Sequence, residues 1–415
     1  MKKFISLLLA TAMAATLCAC GAAPAAAPAA PAEKTEAPAE ASADEALNIK
    51  AGFICLHDEN STYDLNFINA AKEACENLGV EAVFKTGIPE GQECYDAACE
   101  LADQGCGYIF ADSFGHEDYM IEAAKEFPDV QFCHATGTKA HTENLANFHN
   151  AFASIYQGRY LAGIVAGMKL NEMIANGEIT ENQAKMGYVG AYTYAEVISG
   201  YTSYFLGARS VCPSATMEVT FTGSWYDETA EKEGANKLIG DGCVLISQHA
   251  DSMGAPTACE TAGVPDVSYN GSTKDACPKT FLVSSRIDWV PYFEYSITAA
   301  AKGEAIDTDW TGTLSTGSVV LTDLGDAVAE GTADAIETAK ADLEAGKIHV
   351  FDTSTFTVDG ANPTTYMADV DTDANYEGDH EVITDGYFNE SGEGFRSAPY
   401  FDLKIDGITL LDTAF

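Results

Sequence analysis

Six short stretches of this chain interleave aromatic rings with carboxyl, amide and hydroxyl groups: His57-Asp58-Glu59-Asn60-Ser61-Thr62-Tyr63, Asp112-Ser113-Phe114-Gly115, Gly190-Ala191-Tyr192, Gly223-Ser224-Trp225-Tyr226-Asp227, Gln248-His249-Ala250-Asp251-Ser252 and Asn270-Gly271-Ser272. Basic residues are scarce in them. Such a set suits recognition of a flat, polar, uncharged ligand, with rings on its faces and polar groups orienting its edge. Motifs for covalent chemistry do not occur: there is no GxGxxG after a strand, no GxxxxGK(S/T), no GxSxG elbow and no HExxH, and His116-Glu117 and His380-Glu381 lack the second histidine. Binding without catalysis is expected, with no cofactor.

Metal chemistry is not expected either. His57 and His249 read as loop residues, and neither a CxxC nor a zinc-type Cys/His spacing occurs. Asp369, Asp371, Asp373 and Asn375 alternate like the start of a calcium loop. Ala374 stands at the glycine position, however, and His380 where the closing carboxylate belongs, so a solvated acidic hairpin is the better reading.

An alternation of strands and helices positions the six stretches. Ile49–Leu56 is an apolar run, followed by Phe67, Ala71, Ala74, Cys75 and Leu78 at helical spacing up to Gly79. Strands at 80–84, 108–111 and 130–134 then alternate with helices at 92–104 and 117–127. A long helix from Ile155 to about Asn176 opens a second series, with strands near 186–189, 217–221, 244–247 and 267–269 and helices at 194–209, 227–239 and 256–262. The pattern predicts two α/β lobes with parallel sheets and right-handed crossovers. Ligands of such sheets bind beyond the carboxyl ends of the strands, which is where the six stretches lie.

Within the long helix, Arg159 reads as structural, and Gly163 and Gly167 read as allowing close helix packing. Cys55, Cys133 and Cys243 sit in apolar strand-like runs and read as small buried hydrophobes; Cys94 with Cys99 and Cys259 with Cys277 are candidate bridges.

The chain of 415 residues carries 22 Lys+Arg against 63 Asp+Glu, a net charge of −41. A polyanion is repelled by that field, so nucleic acid is excluded as a polymeric partner. Lys2 and Lys3 precede an apolar stretch too short to span a bilayer, and Leu17-Cys18-Ala19-Cys20-Gly21 resembles a bacterial lipobox. Residues 1–19 are thus expected to be a signal peptide and Cys20 the lipidated N-terminus, followed by an Ala/Pro/Glu tether over 20–47. The expected location is the extracytoplasmic face of the cell membrane.

Several motifs together resemble the basic membrane protein family of lipoproteins, substrate-binding components of ABC transporters of the purine-nucleoside-receptor type. They are the lipobox, Tyr108-Ile-Phe-Ala-Asp-Ser-Phe-Gly115, Ala124-Lys-Glu-Phe-Pro-Asp-Val130, Tyr156-Gln-Gly-Arg-Tyr-Leu-Ala-Gly-Ile-Val-Ala-Gly167, Gly223-Ser-Trp-Tyr-Asp227 and Gln248-His-Ala-Asp-Ser252. The resemblance runs from about Ile49 to Tyr295, and more weakly through Gly346-Lys-Ile-His-Val-Phe351 to the end.

It implies a periplasmic-binding-protein fold of type I, with lobe 1 over 48–148 plus 287–307, lobe 2 over 149–286 plus 308–415, and three hinge crossings. It implies a purine ring held between Tyr63 and Trp225, polar positions at Asp58 or Asn60, Asp118, Asp251 and Asn270, and a ribose contact at Arg286. Several of these positions have a structural alternative: a helix cap for Asp118 and Asp251, and an interlobe ion pair for Arg286; Phe114, a further candidate contact, could instead be a plug under its loop. Asn270 stands where the family usually has an acid and Arg286 where it has lysine, so a free base competes with a nucleoside as the ligand. The implied partners are the permease and its ATPase, with the protein a monomer. A sugar-binding lipoprotein or a sensor of the same fold is the alternative, and an extracellular hydrolase a more distant one.

Overall fold

The computed structural model describes residues 47–370, 380–392 and 394–413, all within the unit Ala46–Phe415. The expected signal peptide, Cys20 and almost all of the tether lie outside these residues, as does most of the acidic segment that begins at Asp369. No helix among the described residues is long and apolar enough to cross a membrane.

Strands and helices alternate as the periodicity requires. β1 (Lys50–Ile54), β2 (Glu81–Lys85), β3 (Tyr108–Ala111), β4 (Gln131–Ala135) and β5 (Phe148–Ala153) alternate with α1 (Thr62–Leu78), α2 (Gln92–Asp103), α3 (Glu117–Glu126) and the short α4 (Ala140–Glu143). α1 shows why its limits were readable. Ser61 caps it by accepting from the Asp64 N–H, and Gly79 ends it at φ 66°, a left-handed conformation that costs glycine little.

α5 (Ile155–Ala175) leads to β6 (Lys185–Gly190), α6 (Ala195–Val211), β7 (Thr216–Phe221), α7 (Glu228–Gly240), β8 (Leu245–His249), α8 (Gly254–Ala262), β9 (Asp266–Tyr269) and β10 (Phe281–Ile287). α9 (Val290–Lys302), β11 (Asp309–Gly312), β12 (Val319–Leu321) and α10 (Thr332–Glu344) follow. Two sheets result, ordered β11-β5-β4-β3-β1-β2 and β12-β10-β9-β8-β6-β7 with Ile408–Leu410 at the far edge. Every pairing in them is parallel except β10 with β12. The fold is the α/β, two-sheet architecture of periplasmic binding proteins.

Two of the three crossings differ from expectation, each by one strand. β5 and β11 pair in register, Asn150 with Asp309 through Ala153 with Gly312, so 149–153 and 309–312 belong to the first sheet and not to the second. His149 and Asn150 interrupt the apolar pattern of β5, and Asp309-Trp-Thr-Gly312 has no β-type run, so only the tertiary pairing reveals them.

Gly163 and Gly167 do permit close approach. A Cβ on Gly163 would lie 2.0 Å from the Tyr204 carbonyl oxygen of α6, and one on Gly167 would lie 2.5 Å from that of Ala208. Backbone cannot yield as a side chain can, so Gly163→Ala is expected to cost about 1–3 kcal/mol, read as a lower urea midpoint at unchanged m-value.

All ten described cysteines are free, which corrects both candidate bridges. Cys94 and Cys99 share α2 at a separation that turns them about 140° apart around the helix axis.

The segment after α10 docks on the second sheet. Phe351 stacks on Phe401 at 4.1 Å and on Tyr156 of α5 at 5.4 Å, and Ile408–Leu410 extends the sheet beside β7. Ser397 donates its N–H and hydroxyl to Asp309 of β11 at 2.9 and 3.1 Å, which ties the segment to the first sheet as well.

Glu390, 3 % exposed, is enclosed there. Burial pushes its carboxyl up to about 8, against the pull of the Ser199 hydroxyl and the Arg396 guanidinium. A folded-state value above the ordinary one means that the folded chain holds the proton longer, so this stabilisation is complete below about pH 4.5 and lost as pH rises through 8. The expected result is a melting temperature that declines between pH 6.5 and 8.5 less steeply in Glu390→Gln than in wild type.

Candidate functional site

The loops at the carboxyl ends of both sheets converge on one shared cavity. From the first sheet it is lined by Leu56, His57, Tyr63, Asp64, Ser113, Phe114 and Thr136, and from the second by Glu196, Trp225, His249, Asp251 and Tyr269. Neither lysine nor arginine is among them.

Each ring is held by its own loop. The Tyr63 hydroxyl donates to the Asp112 carbonyl at 2.7 Å, and its ring meets Phe67 edge-on at 4.8 Å, which fixes the ring on α1. Trp225 packs edge-on against Tyr192 at 5.1 Å and Tyr194 at 6.0 Å. The Asp251 N–H donates to the Trp225 carbonyl at 2.9 Å, locking the loops after β7 and β8 together. The Phe114 loop is pinned by Glu90, which accepts from the Ser113 hydroxyl at 2.6 Å and the Gly115 N–H at 2.9 Å. The two halves touch where Thr62 donates its N–H and hydroxyl to the Asp251 carbonyl at 2.9 and 3.2 Å.

The electrostatics are those of crowded acids. Burial alone would raise the Asp64 carboxyl, but the His57 ring and N–H and the Ser61 hydroxyl outweigh it and hold Asp64 below the usual range. Asp251, 5 % exposed, is pushed well above that range by burial and then by the charges of Asp64, Glu231 and Glu196, with the Asn270 amide opposing. Asp112 is likewise driven up by burial and by Asp64. Cys55, Asp64 and Asp112 bring ligating atoms within 4.8 Å of one another. Of the two carboxyls, Asp112 therefore favours its protonated form and Asp64 its ionised form. Glu231, raised by burial to about 7, accepts from the Ser252 N–H at 3.2 Å and braces the Asp251 loop from behind.

The structure brings Tyr63, Phe114, Trp225 and Asp251 to one cavity. Five of the expected polar residues are not in its lining. Asp58 and Asn60 are exposed on a neighbouring depression and bonded to each other, the Asn60 amide donating to Asp58 at 2.8 Å. Asp118 is exposed and paired with Lys139 at 2.6 Å. Arg286 lies in a separate groove, donating to Asn66 at 3.4 Å and to Asp288 at 3.3 Å. Asn270, at φ 64°, lines that groove too, and its amide reaches the Asp251 carboxyl.

Seven polar lining residues lie outside the expected binding positions: His57, Ser113 and His249, in the strand-end stretches themselves, and Asp64, Thr136, Glu196 and Tyr269. Asp64 carries a signal in its Ser-x-x-Asp capping position before an apolar helix. His249 and Glu196, 3.4 Å apart, depend on a contact between β8 and the start of α6 that no local pattern encodes. Thr136 follows β4 and Tyr269 ends β9, positions that the strand-end rule itself selects.

Residues 55–348 match the Bmp family, described as ABC transporter substrate-binding protein PnrA-like. A purine-binding protein of Brucella abortus is 34% identical over 258 residues, 61% of this chain and 68% of that protein. A Haloferax volcanii protein named for ABC-transporter glucose binding is 32% identical over 249 residues, 60% of each chain. An ABC-transporter solute-binding protein of Conexibacter woesei superposes with a TM-score of 0.59 at 20% identity, covering 72% of this chain and 98% of its own. Strand-end loops from both sheets converging on one cavity, and a family match over most of the folded chain, lead to one conclusion: this protein belongs to the Bmp family of PnrA-like ABC-transporter substrate-binding proteins, which present a small ligand to a permease outside the cytoplasm.

Proposed function

We propose that the cavity binds a purine nucleobase or nucleoside between Tyr63 and Trp225. The observation that carries this reading is that these two rings, one from each sheet, line the same small cavity as a set of carboxyl groups and no cation. Asp64, held ionised, accepts hydrogen bonds, and Asp251, which retains its proton more readily, donates or accepts. A purine edge carries both donors and ring-nitrogen acceptors, so the pair is complementary to it. The name of the Brucella relative adds support.

Two lobes, 48–153 with 288–312 and 154–287 with 313–413, close around the ligand as a hinge, and the contacts that form only on closure stabilise that state. The protein is a monomer held at the outer membrane face through Cys20.

Glucose is the second reading, favoured by the name of the Haloferax relative and by the same combination of rings and acids. A thermal-shift panel of nucleobases, nucleosides and hexoses, followed by calorimetry on the hits, separates them. Stabilisation by adenine- or guanine-type compounds at micromolar concentration is expected; a response to hexoses alone would overturn the purine reading.

A further inference from the structure

We infer that Phe114, Tyr194 and Tyr192 form an aromatic latch across the mouth of the cavity, one that governs how fast the ligand enters and leaves. The inference rests on the reading of this cavity as the ligand site.

Phe114 follows β3 in the first sheet; Tyr192 and Tyr194 follow β6 in the second. The Phe114 and Tyr194 rings meet at 5.4 Å between centroids, which makes this a ring contact between the two halves. Tyr194 stacks on Tyr192 at 5.0 Å with the planes 9° apart, and Tyr192 meets Trp225 at 5.1 Å. A continuous row of rings therefore runs from the outer rim to the tryptophan in the cavity wall. Phe114 and Tyr194 are 37 % and 41 % exposed, among the few large apolar side chains left so open. Neither is needed to fill a core, so their placement calls for another reason.

The two sides differ in rigidity. The Phe114 loop is clamped by Glu90, whereas Tyr194 occupies the residue before α6, where no side chain caps the helix. Opening the cleft parts Phe114 from Tyr194 and leaves the Tyr192–Tyr194 stack intact. The rim contact is then lost in the transition state for both entry and exit.

The test is stopped-flow tryptophan fluorescence on the full chain, using the best binder from the thermal-shift panel, whatever its class. Tyr194→Ala should raise association and dissociation rate constants together by roughly 2- to 12-fold, the span of one aromatic pair. Its Kd should stay within about threefold, and Tyr194→Phe should behave as wild type. Unchanged rates, or a faster dissociation alone with Kd rising in proportion, would overturn the latch, the second by making Tyr194 an ordinary ligand contact. Acrylamide quenching of the ligand-free protein gives a reading independent of any ligand. Tyr194→Ala should expose Trp225 to quencher, and the gain should vanish in Tyr194→Ala/Trp225→Phe. If no purine binds while quenching rises as stated, the purine reading fails and the latch stands; if purines bind and quenching is unchanged, the reverse holds.

Discussion

Trp225→Ala is expected to weaken purine binding by about 5- to 150-fold, the equivalent of roughly 1–3 kcal/mol for one lost stack on a base. The ring lies on the loop after β7, half-buried, and contacts Tyr192 and Tyr194 by their edges, so truncation removes a wall of the cavity without opening a core. The backbone bond from the Asp251 N–H to the Trp225 carbonyl survives the change, and with it the geometry of the acidic loop. Trp225→Phe should recover most of the loss, because a smaller ring still offers a face. Tyr63→Phe should have little effect on stacking while freeing the ring from the Asp112 carbonyl. Calorimetry with the preferred purine checks the series. An affinity for Trp225→Ala within twofold of wild type would remove the sandwich from the proposal, even with the fold and family unchanged.

Tyr63, Phe114, Trp225 and Asp251 were legible in the sequence for a simple reason. A parallel sheet flanked by helices exposes only the residues just past its strand ends, and strand ends follow from periodicity. What periodicity leaves open is which of those residues face inward. Asp118 is consumed by Lys139, Arg286 by Asp288 and Asn66, and Asp58 by Asn60, each a partnership decided by side-chain reach. The reverse error has the same origin: Glu196 reaches the cavity from the first turn of α6, where an acid reads as ordinary helix-dipole complementation. β5 and β11 escaped notice because β11 is an edge strand held only by its pairing with β5, far away in the sequence, and His149 and Asn150 interrupt the apolar run of β5. The segment beyond residue 348, past the family match, is organised by aromatic stacks such as His349 on Tyr387 at 3.7 Å, which have no period to read.

Arg159 was read as structural, and its surroundings imply a large effect on stability. It is fully buried on α5, beneath the second sheet. Its guanidinium donates to the Tyr188 hydroxyl at 2.8 Å, the Ser247 hydroxyl at 3.0 Å and the Ser268 and Gln248 carbonyls at 3.3 Å. The rings of Tyr188, Tyr204 and Tyr269 surround it at 5.0–5.3 Å. Its charge is also felt by the buried Asp266, which burial raises to about 7 while Ser268 and Arg159 pull it back. Arg159→Ala would leave a void, several unpaired acceptors and an uncompensated carboxyl. The combined cost is about 3–5 kcal/mol, or a fall of roughly 4–6 °C in melting temperature for a folded unit of this size. Arg159→Lys keeps the charge but not the planar fork or its stacking, so it should lie between alanine and wild type. Because Tyr269 lines the cavity and the His249 ring contacts the Tyr188 hydroxyl at 3.3 Å, loosening this cage should also weaken ligand binding. Scanning calorimetry of the two variants with and without ligand separates the effects. A melting temperature for Arg159→Ala within 1 °C of wild type would show that the rings, and not the charge they enclose, hold the second sheet against α5.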